Sequence, residues 1–248
     1  MVSYRGRVAP NRIDLPGTAE EAWDGWVELK RLPVADPMGW PSAVIVAAHP
    51  DDEILGAGGT LARLAAGGAR LRLVAVTDGE ASHPGTDPRD TARRRTAESA
   101  DALRLLGVRD IEVIRLCFPD TGLTACEDEL SGRLGELCDG FGVCLAPWEQ
   151  DAHADHEAAG RAARRAVRQP GQQVLSYPIW MWHWARPGDT RVPWARLLAF
   201  DIPEELLALK QQALRSHQSQ LRDREGQGPV LVASIVERAA RRHEYFFA

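Results

Sequence analysis

Residues 42–53 read SAVIVAAHPDDE, an apolar run that is followed at once by a histidine and three acidic residues. The run 43–48 shows no alternation of apolar and polar positions, which is typical of a parallel strand covered by helices on both faces. Adjacent carboxylates repel one another at the end of a buried strand unless a cation neutralises them. The stretch therefore predicts a parallel sheet with a charged, cation-binding site where its first core strand ends.

Strand and helix patterns alternate downstream of this stretch. Further strands are predicted at RLRLVAVT (70–77), IEVIRL (111–116), GVCLAP (142–147) and within QQVLSYPIWMW (172–182), and helices at 59–68, 88–107, 127–139 and 154–169. Strands that alternate with helices of this length indicate the α/β class, with a mostly parallel sheet and helices on both faces. Right-handed crossovers place every strand–helix loop on one edge of such a sheet, where ligands bind.

The chain is interpreted as a single domain with three parts. These are an N-terminal helical extension, a catalytic core and a C-terminal helical segment that packs on the core: residues 1–41, 42–186 and 187–248. In the extension, Thr18 and Glu21 form a predicted capping box for a helix that continues to about Lys30. In the C-terminal segment, helical patterns cover 203–214 and 230–246.

The composition argues against several classes of protein. A net charge of −5 disfavours a nucleic-acid-binding protein, because such proteins carry a basic face. No apolar stretch approaches the ~20 residues that span a bilayer, and the first twelve residues, MVSYRGRVAPNR, lack the apolar core of a signal peptide. The four cysteines form no C-x-x-C pair. We therefore expect a cytoplasmic protein that binds neither nucleic acid nor membrane, and the sequence leaves a homo-oligomer open.

A second polar cluster, DAHADH at 151–156, directly follows the predicted strand GVCLAP. Parallel strands bring this loop to the same edge of the sheet as HPDDE. Histidine and carboxylate together are a nitrogen and oxygen ligand set that suits Zn²⁺ and other divalent transition metals. Each motif alone is typical of a solvated turn. Both motifs at the ends of two strands of one sheet favour a metal site, in which one histidine binds the ion and the other does acid–base work.

The glycines after HPDDE raise the alternative of a dinucleotide-binding loop. The frame G-x-G-x-x-G fails, because Leu61 stands where the third glycine belongs. Gly56, Gly58 and Gly59 are instead interpreted as positions where the start of a helix packs closely against the sheet.

Four motifs in this order, AHPDDE, GGTLARLAAGG, VTDGE and HADH, resemble the PIG-L/LmbE-like family of zinc-dependent N-deacetylases. The resemblance covers Ser42 to Arg168. It implies a Rossmann-like sheet and a zinc-dependent amidohydrolase that removes an acyl group, with acetyl as the expected group, from an amino sugar or a similar small molecule. Another divalent transition metal, such as Fe²⁺, is the alternative to zinc.

The resemblance also implies a role for each residue that matches the family motifs. His49, Asp52 and His156 are the implied zinc ligands, and Asp51 is the implied general base that activates the water. Three protein ligands leave zinc an open position for water, as a catalytic site requires.

Four more residues receive roles from the same resemblance. His153 is implied to be positively charged, to stabilise the oxyanion and to protonate the leaving amine, with Asp155 orienting its ring. We expect the carboxylate of Asp155 to raise the pKa of His153. Arg95, in an Arg-x-x-Glu pair, is implied to reach the substrate, and Asp120 in FPDTGL matches a family aspartate that contacts sugar hydroxyls.

The segment YPIWMWHWARPGDTRVPW (177–194) is unusually rich in tryptophan. Alternate tryptophans in an extended segment place their indoles on one side, and Trp182 is therefore a candidate substrate contact. The alternative is a hydrophobic seam against the C-terminal helices. The stretch HQSQ at 217–220 echoes some bacterial members of the family, and the sequence assigns it no role.

The sequence leaves two alternatives to the deacetylase function. A divalent-metal phosphoesterase would use the same carboxylates, but it usually needs a second metal and a denser ligand set. A non-catalytic binding member of the fold is the other rival. It is disfavoured because Asp51, Asp52, His153 and His156 leave no catalytic role unfilled.

Overall fold

Eight strands form one sheet at the centre of the molecule. The computed structural model describes residues 12–224, 226 and 228–248. Residues 1–11 of the predicted N-terminal extension, together with residues 225 and 227, lie outside the described residues. The strands are β1 (Val34–Ala35), β2 (Ser42–Ala47), β3 (Arg70–Ala75), β4 (Ile111–Arg115), β5 (Val143–Pro147), β6 (Gln173–Tyr177), β7 (Leu197–Asp201) and β8 (His243–Phe247).

The order of strands across the sheet is β1-β7-β8-β6-β5-β2-β3-β4. Strand β8 runs antiparallel to β6 and β7, and the other neighbouring pairs are parallel. The predicted α/β fold with a mostly parallel sheet is therefore confirmed. Strand β2 pairs with β5, with Ile45 opposite Leu145. Because HPDDE and DAHADH follow these two neighbouring strands, they meet at one edge of the sheet.

Helices cover both faces of the sheet, as predicted. They are α1 (Glu20–Asp24), α2 (Asp52–Ala66), α3 (Pro88–Leu105), α4 (Glu127–Cys138), α5 (Ala154–Ala166), α6 (Met181–Trp184), α7 (Glu204–Ser216), α8 (Gln218–Leu221) and α9 (Ala233–Ala239). Ile45 of β2 belongs to a buried cluster that includes side chains of α2, α3 and α7, whereas its neighbour Val44 belongs to a second cluster with side chains of α4 and α5. The apolar run of β2 is unbroken because both of its faces are buried. Within the described ranges, none of the helices has the length and apolarity needed to cross a membrane.

Helix α2 begins at Asp52 and not near position 59, so the acidic motif itself forms its first turn. A side-chain Cβ at Gly56 would lie 2.2 Å from the ring of Tyr177, and one at Gly59 would lie 2.5 Å from Ile202. The close packing predicted for these two glycines is confirmed, although it occurs inside the helix and not at its start. A Cβ at Gly58 would meet no atom closer than 3.4 Å, so this glycine is not required for packing.

The N-terminal flank is less helical than predicted. Helix α1 ends at Asp24, and a separate 3-10 turn covers Leu29–Arg31, so the prediction of one helix to about Lys30 is wrong. The capping box is wrong as well: the residue before α1 is Ala19, and the hydroxyl of Thr18 donates a hydrogen bond to the carbonyl of Ala185 instead. Strand β1 then adds an edge to the sheet beside β7.

The C-terminal flank is helical only in part. The helix predicted over 203–214 is confirmed as α7, but the pattern over 230–246 contains only the short helix α9 before the chain enters β8. Strand β7 was not predicted either. Neither flank is helical throughout, and the division of the chain into three parts stays a prediction.

Candidate active site

A cavity of about 230 Å³ opens at the edge of the sheet where β2 and β5 end. Its wall brings together side chains from both polar clusters that the sequence places on these strands: His49, Asp51, Asp52, His153 and His156. We call this space the inner cavity.

Asp52 stands between two imidazole rings in the first turn of α2. Its Oδ1 lies 3.2 Å from Nε2 of His156, and its Oδ2 lies 3.6 Å from Nδ1 of His49. Oδ2 also accepts a hydrogen bond of 2.8 Å from the backbone N–H of His49, which fixes the carboxylate. All three side chains are buried. One nitrogen of each ring and one carboxylate therefore converge, as the ligands of a single ion would.

The other nitrogen of each ring is held by a further carboxylate. Nε2 of His49 lies 3.2 Å from Oδ2 of Asp155, and Nδ1 of His156 lies 2.8 Å from Oδ2 of Asp151. A carboxylate can only accept, so these nitrogens carry the proton and the nitrogens that face Asp52 keep a lone pair in the neutral ring. Histidines that bind metals are typically held in this way.

Asp151 is a functional residue that the sequence analysis included in DAHADH without a role. It is fully buried, and it accepts hydrogen bonds from the backbone N–H groups of Ile179, Trp180 and Met181 at 3.1, 3.0 and 2.8 Å. These donors aim the carboxylate at His156. The available signal was an acidic residue in the loop after β5, five positions before a histidine.

Burial and charge together shape the electrostatics of this group. Burial opposes the positive charge of His156, yet Asp52 and Asp151 raise its pKa to about 9. Burial likewise opposes the charge of Asp52, but the neighbouring His156 and His49 hold the pKa of this carboxyl well below its usual range. The carboxylates thus stabilise positive charge at their centre, which suits a bound cation.

Asp51 has a strained backbone, with a φ of 139° that residues other than glycine rarely adopt. Burial raises the pKa of its carboxyl to about 7, although the guanidinium of Arg95 lowers it. Nη2 of Arg95 donates to Oδ2 of Asp51 at 3.0 Å. Strain of this kind concentrates at functional sites, where the surrounding structure holds it in place.

Arg95 reaches the inner cavity from α3 and is fixed on several sides. Its Nη2 also donates to the carbonyl of Pro50 at 3.0 Å, and its Nη1 donates to the carbonyl of Gly79 at 3.1 Å. Gly79 has a φ of 67°, and a Cβ there would lie 2.0 Å from Nη1. The glycine of the VTDGE motif therefore makes room for the arginine that positions Asp51.

His153 lines the inner cavity, but its surroundings differ from those predicted. The oxygens of Asp155 accept from the backbone N–H groups of Thr121 and Leu123 at 2.7 and 3.2 Å and face His49, so Asp155 does not orient His153. Nδ1 of His153 is buried and has no hydrogen-bond partner among the residues that the structure describes. Burial, together with the positive charge of its histidine neighbours, lowers the pKa of His153 to about 3. Asp155 does raise the pKa of His153, as expected, but burial and the charges of His156 and His49 outweigh it, so the expected net rise is wrong.

Two groups of donor atoms in the described part of the chain lie within 4.8 Å of one another throughout, and Asp52 belongs to neither, although its two oxygens lie 3.2 and 3.6 Å from the rings of His156 and His49. One contains His49, His153 and His156, and the other contains His49, Asp120 and Asp155, with the donor atoms of each group within 4.8 Å of one another. Oδ1 of Asp120 lies 3.2 Å from Nε2 of His49. Asp120 thus lines the inner cavity and also supports His49, while its contact with sugar hydroxyls stays a prediction.

Trp182 does not line the inner cavity, and its interpretation as a substrate contact stays a prediction. Residues 181–184 form a helical turn and not an extended segment, so the tryptophans point in different directions. The indole of Trp182 is buried against Trp23 and Tyr245, with ring centroids 5.1 and 5.0 Å apart. Trp180 lines the inner cavity instead, where its ring lies nearly parallel to that of His153 at 6.4 Å.

Comparison with known proteins agrees with this arrangement. The family model described as PIG-L, GlcNAc-PI de-N-acetylase, matches residues 44–167, which is half of the chain. The chain is 30% identical over 185 residues to a protein of Escherichia coli strain K12 named uncharacterized deacetylase YaiS, with 70% of this chain and 89% of that protein covered.

Two further relatives are similar over much of the chain. A Catenulispora acidiphila protein named 1D-myo-inositol 2-acetamido-2-deoxy-alpha-D-glucopyranoside deacetylase 1 is 36% identical over 212 residues, which covers 74% of this chain and 63% of that protein. The crystal structure of the conserved protein TT1542 from Thermus thermophilus superimposes with a TM-score of 0.60 and 29% identity, covering 83% of this chain and 93% of that one. The chain belongs to the PIG-L family of metal-dependent N-deacetylases.

Proposed function

We propose that this chain is a metal-dependent N-deacetylase that hydrolyses the amide bond of an N-acetyl amino sugar, with acetate and a free amine as products. Family membership supports the reaction, and the name of the Catenulispora relative supports a small N-acetylated glucosamine derivative as the class of substrate. The cytoplasm is the proposed place of action. A phosphoesterase and a non-catalytic binding protein are not favoured by these relatives.

The arrangement around Asp52 is the observation that carries the proposal. We assign Nδ1 of His49, Nε2 of His156 and the carboxylate of Asp52 as the ligands of one divalent ion. The support is the convergence of these atoms and the carboxylates of Asp155 and Asp151 behind the two rings. Zinc is the expected metal because it accepts nitrogen and oxygen ligands and tolerates an open position, and Fe²⁺ is the alternative.

The residues around this position divide the work of amide hydrolysis. A divalent ion held there would supply Lewis acidity toward the acetyl carbonyl and the attacking water. Asp51 takes a proton from that water, and its pKa of about 7 suits a general base near neutral pH. Arg95 keeps the carboxylate of Asp51 in place. His153, whose lowered pKa keeps its ring neutral, would donate a hydrogen bond to the acetyl oxygen, and the proton taken up by Asp51 would pass to the leaving nitrogen as the C–N bond breaks.

Release of free amine from N-acetylglucosamine and its simple glycosides tests this function. The metal-replete protein should produce amine, a chelator should abolish the reaction, and one equivalent of Zn²⁺ or Fe²⁺ per chain should restore it. Elemental analysis of the protein as purified identifies the metal. A protein that binds metal but releases amine from no N-acetyl amino sugar would contradict the substrate class. A protein that fails to bind either metal would contradict the ligand assignment.

A further inference from the structure

Glu53, the last residue of HPDDE, is fully buried and does not line the inner cavity. The sequence assigns it no role, and neither the proposed ligand set nor the proposed division of work uses it. A carboxylate that is removed from water needs hydrogen bonds to offset the loss of solvent. The partners of Glu53 therefore indicate which part of the structure its side chain holds.

The carboxylate of Glu53 links Asp51 to helix α3. Its Oε2 accepts a hydrogen bond of 3.1 Å from the backbone N–H of Asp51, and its Oε1 accepts one of 2.5 Å from the hydroxyl of Ser99. Ser99 lies on α3 one turn after Arg95, which donates to the side chain of Asp51. Helix α3 therefore holds Asp51 twice, directly through Arg95 and indirectly through Glu53.

The peptide unit between Pro50 and Asp51 is held at both ends. Its carbonyl oxygen, on Pro50, accepts from Nη2 of Arg95 at 3.0 Å, and its N–H, on Asp51, donates to Glu53. A peptide unit is planar and turns as a whole. Rotation of this unit would break one or both of these hydrogen bonds, so together they fix the direction in which the chain enters Asp51.

Asp51 is the N-cap residue of α2, but its side chain makes no capping hydrogen bond. An aspartate at this position usually accepts from a backbone N–H in the first turn of its helix. Its φ of 139° is a strained value, which persists only where the surroundings impose it. In a capping box a side chain of the first turn reaches back to the N-cap N–H, and Glu53 does so from two residues downstream. This contact leaves the carboxylate of Asp51 to face Arg95 and the inner cavity.

Helix α3 is itself anchored beside Ser99. The neighbouring Glu98 accepts from the backbone N–H and the hydroxyl of Ser219 at 2.8 and 2.6 Å. Ser219 belongs to the HQSQ stretch, so one function of this stretch is to fasten α8 to α3. The hydroxyl that Glu53 binds therefore projects from a part of α3 that is held in place.

We propose that Glu53 is a positioning residue, which holds Asp51 in its strained conformation and thereby directs the general base into the inner cavity. The inference rests on the proposed deacetylase function and adds a residue to it. The alternative is that Glu53 only stabilises the start of α2, where any acidic side chain interacts favourably with the helix dipole. Loss of a positioning residue should slow the reaction, whereas loss of a helix-stabilising charge should lower the melting temperature alone.

Glu53→Ala on the metal-replete enzyme tests the proposal first. We expect kcat to fall by about ten- to a hundredfold, because displacement of a reacting group by about 1 Å can cost ~10²-fold. KM and metal content should stay near those of the unmodified protein, since Glu53 neither lines the cavity nor belongs to the assigned ligands. Glu53→Gln should restore most of the rate, because its amide oxygen can still accept from the N–H of Asp51. A Gln variant as slow as the Ala variant, or an Ala variant with the unmodified kcat, would overturn the proposal.

Glu53→Asp separates positioning from helix charge. It keeps a negative charge at the start of α2, but its shorter side chain cannot reach both Asp51 and Ser99. We expect kcat to fall as in Glu53→Ala, and this variant takes its place if the alanine variant does not fold. A Glu53→Asp variant with the unmodified kcat would leave only the helix-stabilising role and would overturn the proposal.

Glu244→Ala is the matched control for the loss of a buried glutamate. Glu244 also accepts from backbone N–H groups of α2, those of Gly59 and Thr60 at 2.7 and 2.8 Å, but it makes no contact with Asp51. The control should lower the melting temperature and leave kcat of the folded enzyme unchanged. If it slowed the reaction as much as Glu53→Ala, loss of any buried glutamate along α2 would suffice, and the assignment to Glu53 would fall.

The Asp51→Asn background gives the most specific test. If Glu53 acts through Asp51, adding Glu53→Ala to Asp51→Asn should lower kcat little further, because the base is already absent. A role that is only structural would lower kcat by the same factor in both backgrounds, and this result would overturn the proposal.

Crystal structures keep the outcome separable from a failure of the deacetylase function. In Glu53→Ala or Glu53→Asp, we expect the φ of Asp51 to leave the positive range and its carboxylate to move away from the inner cavity. An unchanged Asp51 would overturn the proposal whatever the rates. If the unmodified protein releases no amine from any N-acetyl amino sugar, the proposed function fails, and this comparison still decides whether Glu53 holds Asp51.

Discussion

Two buried clusters of charged side chains lie along helix α2, and they differ in how completely their hydrogen bonds are satisfied. At its start, the Asp52 cluster (His49, Asp51, Asp52 and His156) opens on the inner cavity. Further along, the pair Lys210–Glu244 packs against the helix with both side chains almost fully buried.

The Lys210–Glu244 pair is saturated with hydrogen bonds. Glu244 accepts from the backbone N–H groups of Gly59 and Thr60 at 2.7 and 2.8 Å and from Nζ of Lys210 at 2.6 Å. The Asp52 cluster instead contains a strained aspartate, shifted pKa values and like charges side by side. A buried charged group whose hydrogen bonds are all satisfied stabilises the fold. Strained residues with shifted pKa values beside a cavity are instead typical of a functional site. Substitutions in the Asp52 cluster should therefore lower activity, whereas substitutions in the Lys210–Glu244 pair should lower stability.

Asp52→Ala should cause the largest loss of activity. The change removes one of three assigned ligands and leaves two imidazoles facing each other. We expect metal content after dialysis to fall to near zero and amine release to become undetectable. Elemental analysis and the free-amine assay measure both quantities. A variant that retains one metal ion per chain would show that Asp52 is not a ligand.

Asp51→Asn should keep the metal and lose turnover. An amide cannot accept a proton from water, and general-base catalysis typically contributes ~10²–10⁴-fold to the rate. We expect kcat to fall by this factor while metal content stays at the unmodified level. Comparison with Asp52→Ala is the control, and an equal loss of metal in both variants would contradict the division of labour between the two aspartates.

Glu244→Gln should instead lower stability and leave the chemistry intact. The change strands the ammonium of Lys210 in the interior, which typically costs ~3–5 kcal/mol of unfolding free energy. Urea denaturation measures the loss, and kcat of the remaining folded enzyme should stay near that of the unmodified protein. Replacing both partners, as in Lys210→Met/Glu244→Gln, should recover part of the stability. If Glu244→Gln were as stable as the unmodified protein but had lost turnover, the Lys210–Glu244 pair would act in catalysis and not in stability.

The same contrast separates what the sequence could predict from what it could not. Strands β2 and β5 were predicted because they are apolar runs buried on both faces, and the polar clusters HPDDE and DAHADH follow them in the chain. The site was predicted because its residues form compact motifs. The Lys210–Glu244 pair joins residues 34 positions apart, and no local pattern marks it.

The missed strands have a similar cause. Strand β8 begins with His243 and Glu244, and the residues before it form α9, so the pattern was interpreted as one helix. Its position between β6 and β7 depends on antiparallel pairing with distant segments, which overrides local preference. The extended segment predicted around Trp182 was wrong for a related reason. Alternation predicts an extended segment, but the chain turns into α6 and aims its indole at Trp23.

Asp151→Asn should weaken metal binding without removing it. The amide can no longer take a full hydrogen bond from Nδ1 of His156 while accepting from three backbone N–H groups. Loss of such a supporting carboxylate typically costs ~10–100-fold in metal affinity. Competition with a chelator of known affinity measures the change. Activity at saturating metal should largely return, and a variant that stays inactive under those conditions would give Asp151 a more direct role.

Trp180→Ala should produce the smallest effect, and it should appear in substrate binding. The ring of Trp180 is half-buried at the inner cavity beside His153, so its removal takes an apolar face from the bound sugar. Aromatic contacts of this kind contribute ~0.5–1.5 kcal/mol beyond burial, which corresponds to a two- to tenfold rise in KM. The melting temperature should change little.

Trp182→Ala is the matched control, since the two tryptophans are two positions apart and only one lines the cavity. Its indole is buried between Trp23 and Tyr245, and truncation of such a side chain typically costs ~3–5 kcal/mol of unfolding free energy. We expect the melting temperature to fall and KM of the folded enzyme to stay unchanged. If Trp182→Ala raised KM while Trp180→Ala did not, the substrate would contact the tryptophan that alternation in the sequence had indicated, and the inner cavity would have to extend beneath α6.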